Sequence, residues 1–444
     1  MPSPTSLSPD SSHAPSLTSL PPELVSQIFE TLFYNYPVRK RKADLASLCL
    51  VNKAIRIIAQ PLLFRDFHLD YRKRYIELPP SSDTPFYGDG KCADFVRSLK
   101  ISFDEKRFDG IEHDAFDLMQ VLPSMKNLHT VRSGWSRSAM LFNLTPKLVI
   151  VFQSSIRRFE IPNTLLTILD LDRISRHLPH LETLIASLPQ LDPSESCELS
   201  PVFHLRRLVI TDLPNPLVLP VLLRSSITFL QSLSFTLPST DFFPPLSDLV
   251  NLESISLVVS LSTYIGRLLS PDESKAKDTR LVSNLVSVLK SIRQLPIQRI
   301  ALSLSADSDL FDFDSVVLHG LPPSTTSFIV GPYNDECIDW PSLFPRNGPL
   351  PYPNLKYLSV ARLAPDSFPT RLVFLNLGIE KLYERYGVQL ERPAVTDLDR
   401  FNAFVLDPNR VERGDYEDDI KMRDDYETEY HWALLNRGID RNGT

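Results

Sequence analysis

The sequence predicts an α/β protein in which an N-terminal helical unit is followed by an irregular αβ solenoid. A short apolar phrase returns about every 25 residues through the middle of the chain, and segments with helical periodicity lie between its copies. Residues 20–69 hold more apolar helix surface than so short a unit can bury by itself. This excess predicts a surface that docks on something else.

The N-terminal helical unit begins near Pro21 and Pro22, because proline suits the first turn of a helix. Apolar residues then recur at helical spacing to about Phe33, and Pro37 prevents the helix from continuing. We expect residues 34–42 to form an exposed connection. The apolar residues that follow predict a short second helix and a longer third one.

The segments LPPELVSQIFETL and DLASLCLVNKAIRIIAQPLLF resemble the F-box, in the form common in fungal F-box proteins. In that family the helices bind the adaptor subunit of SCF-type cullin-RING ubiquitin ligases. Ile55 stands where many members carry tryptophan, which favours the alternative that these helices only cap the following domain. The adaptor-binding residues that the resemblance implies are Leu20, Pro21, Glu23, Leu24, Ile28, Phe29, Leu32, Leu45, Leu48 and Val51.

In the repeated phrase, a second apolar residue follows the first after two spacers, and a third follows after one more. Successive first positions from Leu181 to Ile297 are separated by 24, 25, 22 and 45 residues, which fits the period of leucine-rich repeats. The last three positions alternate like a short strand. A compact α/β domain with similar buried strands is the competing interpretation. The clear copies begin at Leu181, Leu205, Leu230, Leu252, Ile297 and Leu355, and weaker ones at Val96, Met125, Ile156 and Thr326.

These copies predict about ten units from Phe95 to Ala361, within a repeat domain at residues 91–386. Prolines or serines, in place of a regular asparagine ladder, follow the strands. We expect a flexible insertion at Ser270–Thr279, and an ordered loop at 332–353 whose aromatic residues serve either recognition or the core. Helices are predicted at Ala115–Leu122, Leu165–Leu178, Val218–Leu223, Leu281–Arg293 and Leu372–Tyr386.

The two ends of the chain differ from the middle. Residues 1–17 are rich in proline and serine and predict a disordered tail, and residues 18–70 are assigned to the F-box helical domain. Residues 387–444 form an acidic, tyrosine-rich segment. This segment is either a docking surface for basic partners or a solvated helix whose aromatic residues pack back on the last repeat.

Composition excludes several function classes. A formal net charge of −7 argues against nucleic-acid binding, which requires a basic footprint. No apolar run is long enough for a membrane span and no signal peptide is recognisable, so we expect a cytoplasmic or nuclear protein. The four cysteines lack CxxC spacing, which predicts neither a zinc site nor a disulfide framework.

The sequence also lacks the motifs of common active sites, including GxSxG, GxGxxG, GxxxxGK[ST] and HExxH. We therefore expect a non-enzyme without catalytic residues, cofactor or metal. The resemblance implies a substrate-recognition subunit that binds the SCF adaptor, through it a cullin, and an unknown protein substrate. Two alternatives stay open: a repeat-based scaffold outside any ligase, and an enzyme with an unrecognised site.

Overall fold

The computed structural model describes residues 20–35, 38–70, 92–102, 122–134, 155–188, 202–213, 218–239, 243, 245–259, 271–304, 320–333, 352–363, 372–374, 384–390 and 398–408. All structural statements concern these residues. The predicted tail at 1–17 and most of the helix predicted at Ala115–Leu122 lie outside them.

Three helices form the N-terminal unit: α1 (Pro22–Asn35), α2 (Val38–Val51) and α3 (Lys53–Arg65). The prediction of an exposed connection at 34–42 is wrong. Helix α1 continues to Asn35, and the basic run 39–42 belongs to the first turns of α2. Lysine and arginine are good helix formers, and a proline directly before a helix does not interrupt it.

The turn between α2 and α3 is only one residue long. Asn52 is the N-cap of α3, and its side chain accepts a hydrogen bond of 2.8 Å from the N–H of Ile55. Arg56 Nε donates to the carbonyl of Cys49 at 2.9 Å, which satisfies an orphan carbonyl near the end of α2. At its own end, α3 passes without a linker from Arg65 into the first strand at Asp66.

A single sheet holds all the strands that the structure describes. Strands β1 to β11 are parallel, and each pairs with the next along the chain, while β12 runs antiparallel and β13 parallel to β11. Consecutive parallel order requires a crossover between neighbours. The strands are β1 (Asp66–Asp70), β2 (Ser98–Ser102), β3 (Thr130–Gly134), β4 (Arg158–Leu165), β5 (Thr183–Ser187), β6 (Arg207–Asp212), β7 (Ser232–Thr236), β8 (Ser254–Val259), β9 (Arg299–Leu304), β10 (Ser327–Tyr333), β11 (Tyr357–Leu363), β12 (Leu372–Phe374) and β13 (Gln389–Leu390).

Four further helices are α4 (Ile168–His177), α5 (Val218–Leu223), α6 (Pro271–Ile292) and α7 (Leu398–Leu406). The helices predicted at 165–178, 218–223 and 281–293 are confirmed as α4, α5 and α6. A reciprocal capping box between Thr167 and Asp170 begins α4.

Strand register confirms the repeated apolar phrase. Its second positions align across the sheet, from Leu184 through Leu208, Leu233 and Ile255 to Ile300, and all are buried. The clear first positions are buried beneath them. Two of the weaker copies begin at other residues than the spacing predicts.

The first misplaced copy begins at Leu128, because Val131 and not Leu128 pairs with Leu99. The second begins at Thr325, three residues before the aligned Phe328, and not at Thr326. Met125 is nevertheless fully buried. An extra apolar residue one turn upstream imitates the phrase, so spacing alone could not locate the true start.

Each repeat is tied to the next by a shared backbone carbonyl. The carbonyl of Arg97 accepts hydrogen bonds from the N–H groups of His129 and Thr130 at 2.9 and 3.0 Å. Every such carbonyl therefore depends on the following repeat for its partners. The same arrangement recurs at the carbonyls of His129, Arg157, Glu182, Arg206, Gln231, Glu253, Gln298 and Thr326.

Asparagine side chains add a second tie that the sequence analysis missed. The amides of Asn127 and Asn251 donate to carbonyls of the preceding repeat, those of Asp94 and Thr228, each at 2.7 Å. Asn354 makes the equivalent bond to a proline carbonyl at 3.0 Å. In each case asparagine directly precedes the first leucine of the phrase, and not the end of a strand as in a regular asparagine ladder.

Two other expectations are wrong. Residues 271–279, expected to be a flexible insertion, are the first turns of α6, where Pro271 begins the helix and Asp272 and Glu273 favour its positive end. Residues 372–374 form β12 and not a helix, because they pair with the edge of β11. The sheet also extends beyond the predicted boundaries, from β1 at residue 66 to β13 at residue 390.

Gly331 lies at a bulge of β10 where the neighbouring strand comes very close. A Cβ atom at this position would lie 2.7 Å from the Cβ of Ala361 and 2.8 Å from its carbonyl oxygen. We expect Gly331→Ala to lower the free energy of unfolding by about 1–3 kcal/mol, as overpacking does, measured by urea denaturation. In a chain that already carries Ala361→Gly, the change Gly331→Ala should lower the free energy of unfolding by less, because the Cβ of Ala361 is no longer in the way. Unchanged stability of Gly331→Ala would contradict the prediction.

Candidate functional site

The helical unit exposes part of its predicted adaptor-binding set. On α1, the side chains of Leu24 and Ile28 are 46% and 38% exposed, and Val51 at the end of α2 is exposed as well. Pro21 and Glu23 are also exposed. These five residues are therefore available to a partner.

Other members of that set hold the unit together. Phe29 and Leu45 are buried in one cluster with Ile55, while Leu20 and Leu48 pack partly buried against it. The side chain of Leu32 lies outside the described residues. Phe29 and Leu45 would thus support the exposed residues from beneath and would not contact a partner in this arrangement.

Sequence reasoning missed two exposed apolar residues of the helical unit, Leu50 and Ile57, of which Leu50 is 79% exposed. Ile57 could have been found because it lies two positions from the buried Ile55 and so points to the opposite side of α3. With Leu24, Ile28 and Val51, five large apolar side chains are exposed in this unit, as many as in all the other described residues together.

The core of the helical unit is separate from the core of the sheet. The two parts are joined at the end of α3, where the N–H of Arg97 donates to the carbonyl of Arg65 at 2.9 Å. Gln60 Nε2 lies 3.4 Å from the sulfur of Cys92 nearby. The helices therefore hold their own fold while being fixed to the first strands.

The second candidate surface is the outer face of the sheet, formed by side chains that point away from the main core. Helix α7 lies over β6 to β9 on this face. Phe401, Phe404 and Val405 of α7 are buried against the sheet. Their partners on β8 to β11 are Val258, Ala301, Ile329 and Ala361.

Small side chains make room for this helix. The third residue of each of these strands points outward and is small. It is Ser234 on β7, Ser256 on β8 and Ala301 on β9. The hydroxyl of Ser303 donates a hydrogen bond to the side-chain oxygen of Asn402 on α7. The sheet thus offers a smooth floor on which the aromatic rings of α7 pack.

A cluster of buried charges anchors the end of α7. Asp407 directly follows the helix, and its two carboxylate oxygens accept from Arg207 Nη2 at 2.7 Å and Arg158 Nη2 at 3.0 Å. Arg158 also bonds to Glu160, which lies 3.2 Å from Arg132 Nε. The Asp407 side chain is only 4% exposed, so these pairs are shielded from solvent.

The position of Asp407 is informative because a carboxylate at the C-terminal end of a helix opposes the helix dipole. Its placement is therefore explained by the two guanidinium groups and not by the stability of α7 itself. Burial lowers the pKa of Arg207, and the charge of Asp407 acts in the opposite direction. In the described chain, the buried Nε of Arg207 has no hydrogen-bond partner.

The C-terminal segment thus packs back on the sheet, but through phenylalanines and earlier than the acidic tyrosine-rich part. The spacing of Leu398, Phe401, Phe404 and Val405 is that of an amphipathic helix and could have identified α7. Residues 409–444 lie outside the described residues.

Of the aromatic residues in the predicted loop 332–353, Tyr352 is buried in the main core, and burial raises its pKa.

Comparison with known proteins gives little. No family model and no curated protein matches this chain. A solved structure described as "Crystal structure of TLR13-ssRNA13 complex" is similar over 63% of this chain and 35% of that one, with 13% sequence identity and a TM-score of 0.34. The similarity spans about a third of that protein's length and carries no functional conclusion.

None of the described helices combines the length and the apolar character that a membrane crossing requires. Within the same residues, no three histidine, cysteine or acidic side chains converge as metal ligands would.

Removal of the Asp407 charge should release α7 from the sheet. Asp407→Asn removes the buried carboxylate from Arg207 and leaves Arg158 with Glu160 alone, and breaking a buried pair in this way costs about 3–5 kcal/mol. We expect faster proteolysis at residues 391–408 and a lower melting temperature. Glu182→Gln is the control, because its 3.4 Å pair with Arg157 is exposed and is worth at most about 1 kcal/mol. Equal effects of the two changes would contradict the prediction.

Proposed function

We propose that this chain is the substrate-recognition subunit of an SCF-type cullin-RING ubiquitin ligase. In this proposal the N-terminal helices bind the adaptor subunit, and through it a cullin, while a leucine-rich-repeat-like solenoid holds a target protein. The proposal places the protein in the cytoplasm or the nucleus. This chain would perform no chemistry itself.

One observation carries the proposal. The F-box-like helices have a closed core of their own and still expose Leu24, Ile28, Leu50, Val51 and Ile57. A unit with a complete core gains nothing in its own fold from exposing large apolar groups, whereas an interface does. The resemblance of residues 20–64 to the F-box supplies the kind of partner.

The proposed mechanism is proximity. A target held on the repeats has its lysines near the ubiquitin-loaded enzyme, which raises their effective concentration without any catalytic group on this chain. Stacked repeats suit this role because each is braced by its neighbours and the assembly presents an extended surface.

A second candidate is a repeat-based scaffold that enters no ligase. The direct passage from α3 at Arg65 into β1 at Asp66 favours it, because a helical cap that protects the first strand would be joined in this way. In that case the exposed apolar residues of the helices would have a different partner or none.

Adaptor binding separates the two candidates. The full chain should form a stoichiometric complex with the SCF adaptor of the same source, and Leu24→Asp with Ile28→Asp should weaken it by at least about 100-fold, since each change buries an unpaired charge at the interface. Binding is measured by calorimetry and folding by circular dichroism.

Val202→Asp with Val250→Asp is the matched control, because both valines are exposed apolar residues far along the chain in the repeats. This control should bind the adaptor like the unchanged protein. A well-folded unchanged protein that binds no adaptor would refute the ligase role and favour the scaffold. Unfolding of the Leu24 and Ile28 variant would show that the two side chains belong to the core.

A further inference from the structure

We propose that the outer face of the sheet between β6 and β9 holds a binding site for a phosphate group, formed by Arg207 and Arg299 across Ser232 and Ser254. This site goes beyond the proposed function and does not depend on it. The phosphate group would come either from a small phosphorylated compound or from a phosphorylated side chain of a bound protein.

Strand register places these four side chains in one row. Arg207, Ser232, Ser254 and Arg299 are the first residues of β6, β7, β8 and β9, and each is paired with the next across the sheet. Neighbouring strands lie about 4.8 Å apart, so about 14 Å separates the backbones of the two arginines. Two long arginine side chains can therefore approach one ligand from opposite ends of the row.

The two serines between the arginines are available to a ligand. Ser234 and Ser256, at the third positions of the same strands, are buried, whereas Ser232 and Ser254 at the first positions are only half-buried. In the part of the chain that the structure describes, the hydroxyls of Ser232 and Ser254 have no hydrogen-bond partner. The row thus has a small, polar floor.

Positive charge is in excess along the row. Within the described residues, Arg299 forms no ion pair, and Arg207 shares the carboxylate of Asp407 with Arg158. The first and third positions of β5 to β11 carry no acid. Glu253, directly before β8, is exposed at the edge of the sheet and forms no ion pair with Arg299.

Arg207 is a shielded cation with cationic neighbours. Its side chain is only 16% exposed, and its buried Nε has no hydrogen-bond partner in the described chain. Burial lowers the pKa of Arg207, and the charges of Arg158 and Arg299 lower it further, against the opposite effect of Asp407 and Glu160. An anion between Arg207 and Arg299 would relieve their repulsion.

The arrangement favours a phosphate group over a carboxylate. Donors approach from both ends of the row and from the hydroxyls between them. A phosphate monoester offers three acceptor oxygens and a charge of about −1.5 to −2 at neutral pH, so it can bond to both guanidinium groups and to a serine together. A carboxylate has two oxygens and a single charge, and one arginine fork is enough to pair with both oxygens.

The test measures the binding of inorganic phosphate to the full chain by isothermal titration calorimetry at neutral pH and constant ionic strength. Arg299→Gln removes the unpaired cation and should weaken binding at least about 10-fold, because charged hydrogen bonds are lost. Arg97→Gln is the matched control, since it removes the same charge from an exposed arginine directly before β2, four strands from β6. This control should bind phosphate like the unchanged chain.

A second variant fills the site from within the chain. Ser254→Asp places a carboxylate between the two guanidinium groups, so it should raise the melting temperature and oppose phosphate binding. Ser254→Asn has nearly the same shape without the charge. It should melt at a lower temperature than Ser254→Asp and bind phosphate at least about 10-fold more tightly. Equal melting temperatures and equal phosphate binding of the two variants would contradict the site.

Two further probes identify the source of the phosphate group. They are an alanine peptide with one central phosphoserine and the same peptide without the phosphate. Tighter binding of the phosphopeptide than of inorganic phosphate would assign a phosphorylated protein side chain, and the reverse order would assign a small phosphorylated compound. The proposed site is overturned if neither phosphate probe binds the folded, unchanged chain, or if Arg299→Gln and Arg97→Gln change binding equally.

Discussion

The requirement that every strand find a neighbour for its backbone groups governs this structure. A lone strand of a parallel sheet leaves rows of N–H and C=O groups unpaired, and here even the carbonyl before each of the strands β2 to β10 receives two hydrogen bonds from the next repeat. One repeat therefore has no stable fold in isolation. At the C-terminal end the edge of β11 is closed by two short strands, β12 and β13, which pair with different parts of it.

The same requirement leaves one face of the sheet to be covered separately. The inward side chains are buried by the helices and turns that connect the strands, but Val258 and Ile329 point outward and are covered by α7. The apolar contact alone would not fix the position of the helix along the sheet, because the serine and alanine side chains beneath it are small. The carboxylate between Arg158 and Arg207 fixes its position, because a paired charge in a shielded site tolerates little displacement.

Much of the sheet could be predicted from the sequence because its apolar phrase follows strand geometry so directly. Leu184, Leu208 and Leu233 occupy equivalent positions in neighbouring strands, and each is buried as the phrase requires. The apolar spacing of α7 is short and is followed by a long acidic stretch, so the composition of the segment does not indicate the helix. Burial of Asp407 could not be predicted, since its partners lie 200 and 249 residues away.

For the helical unit, periodicity predicts the apolar stripe of α1 but not which residues of the stripe are buried and which are exposed. Ile28 and Phe29 are adjacent, about 100° apart around the helix, and only packing against Leu45 and Ile55 decides that Phe29 is interior and Ile28 exposed. The F-box resemblance grouped both as contact residues. The structure instead separates residues that would form an interface from residues that would hold it in shape.

The passage from α3 into β1 without a linker has a geometric consequence. A flexible joint would let the helices and the repeats reorient freely. Here the helix is followed directly by the strand, so the two parts are connected without a linker that could bend. Neighbouring strands lie about 4.8 Å apart, so ten steps from β1 to β11 span about 48 Å. Gain or loss of one repeat during evolution would move everything beyond it by one such step, and the reach of the molecule is therefore inherited in discrete units.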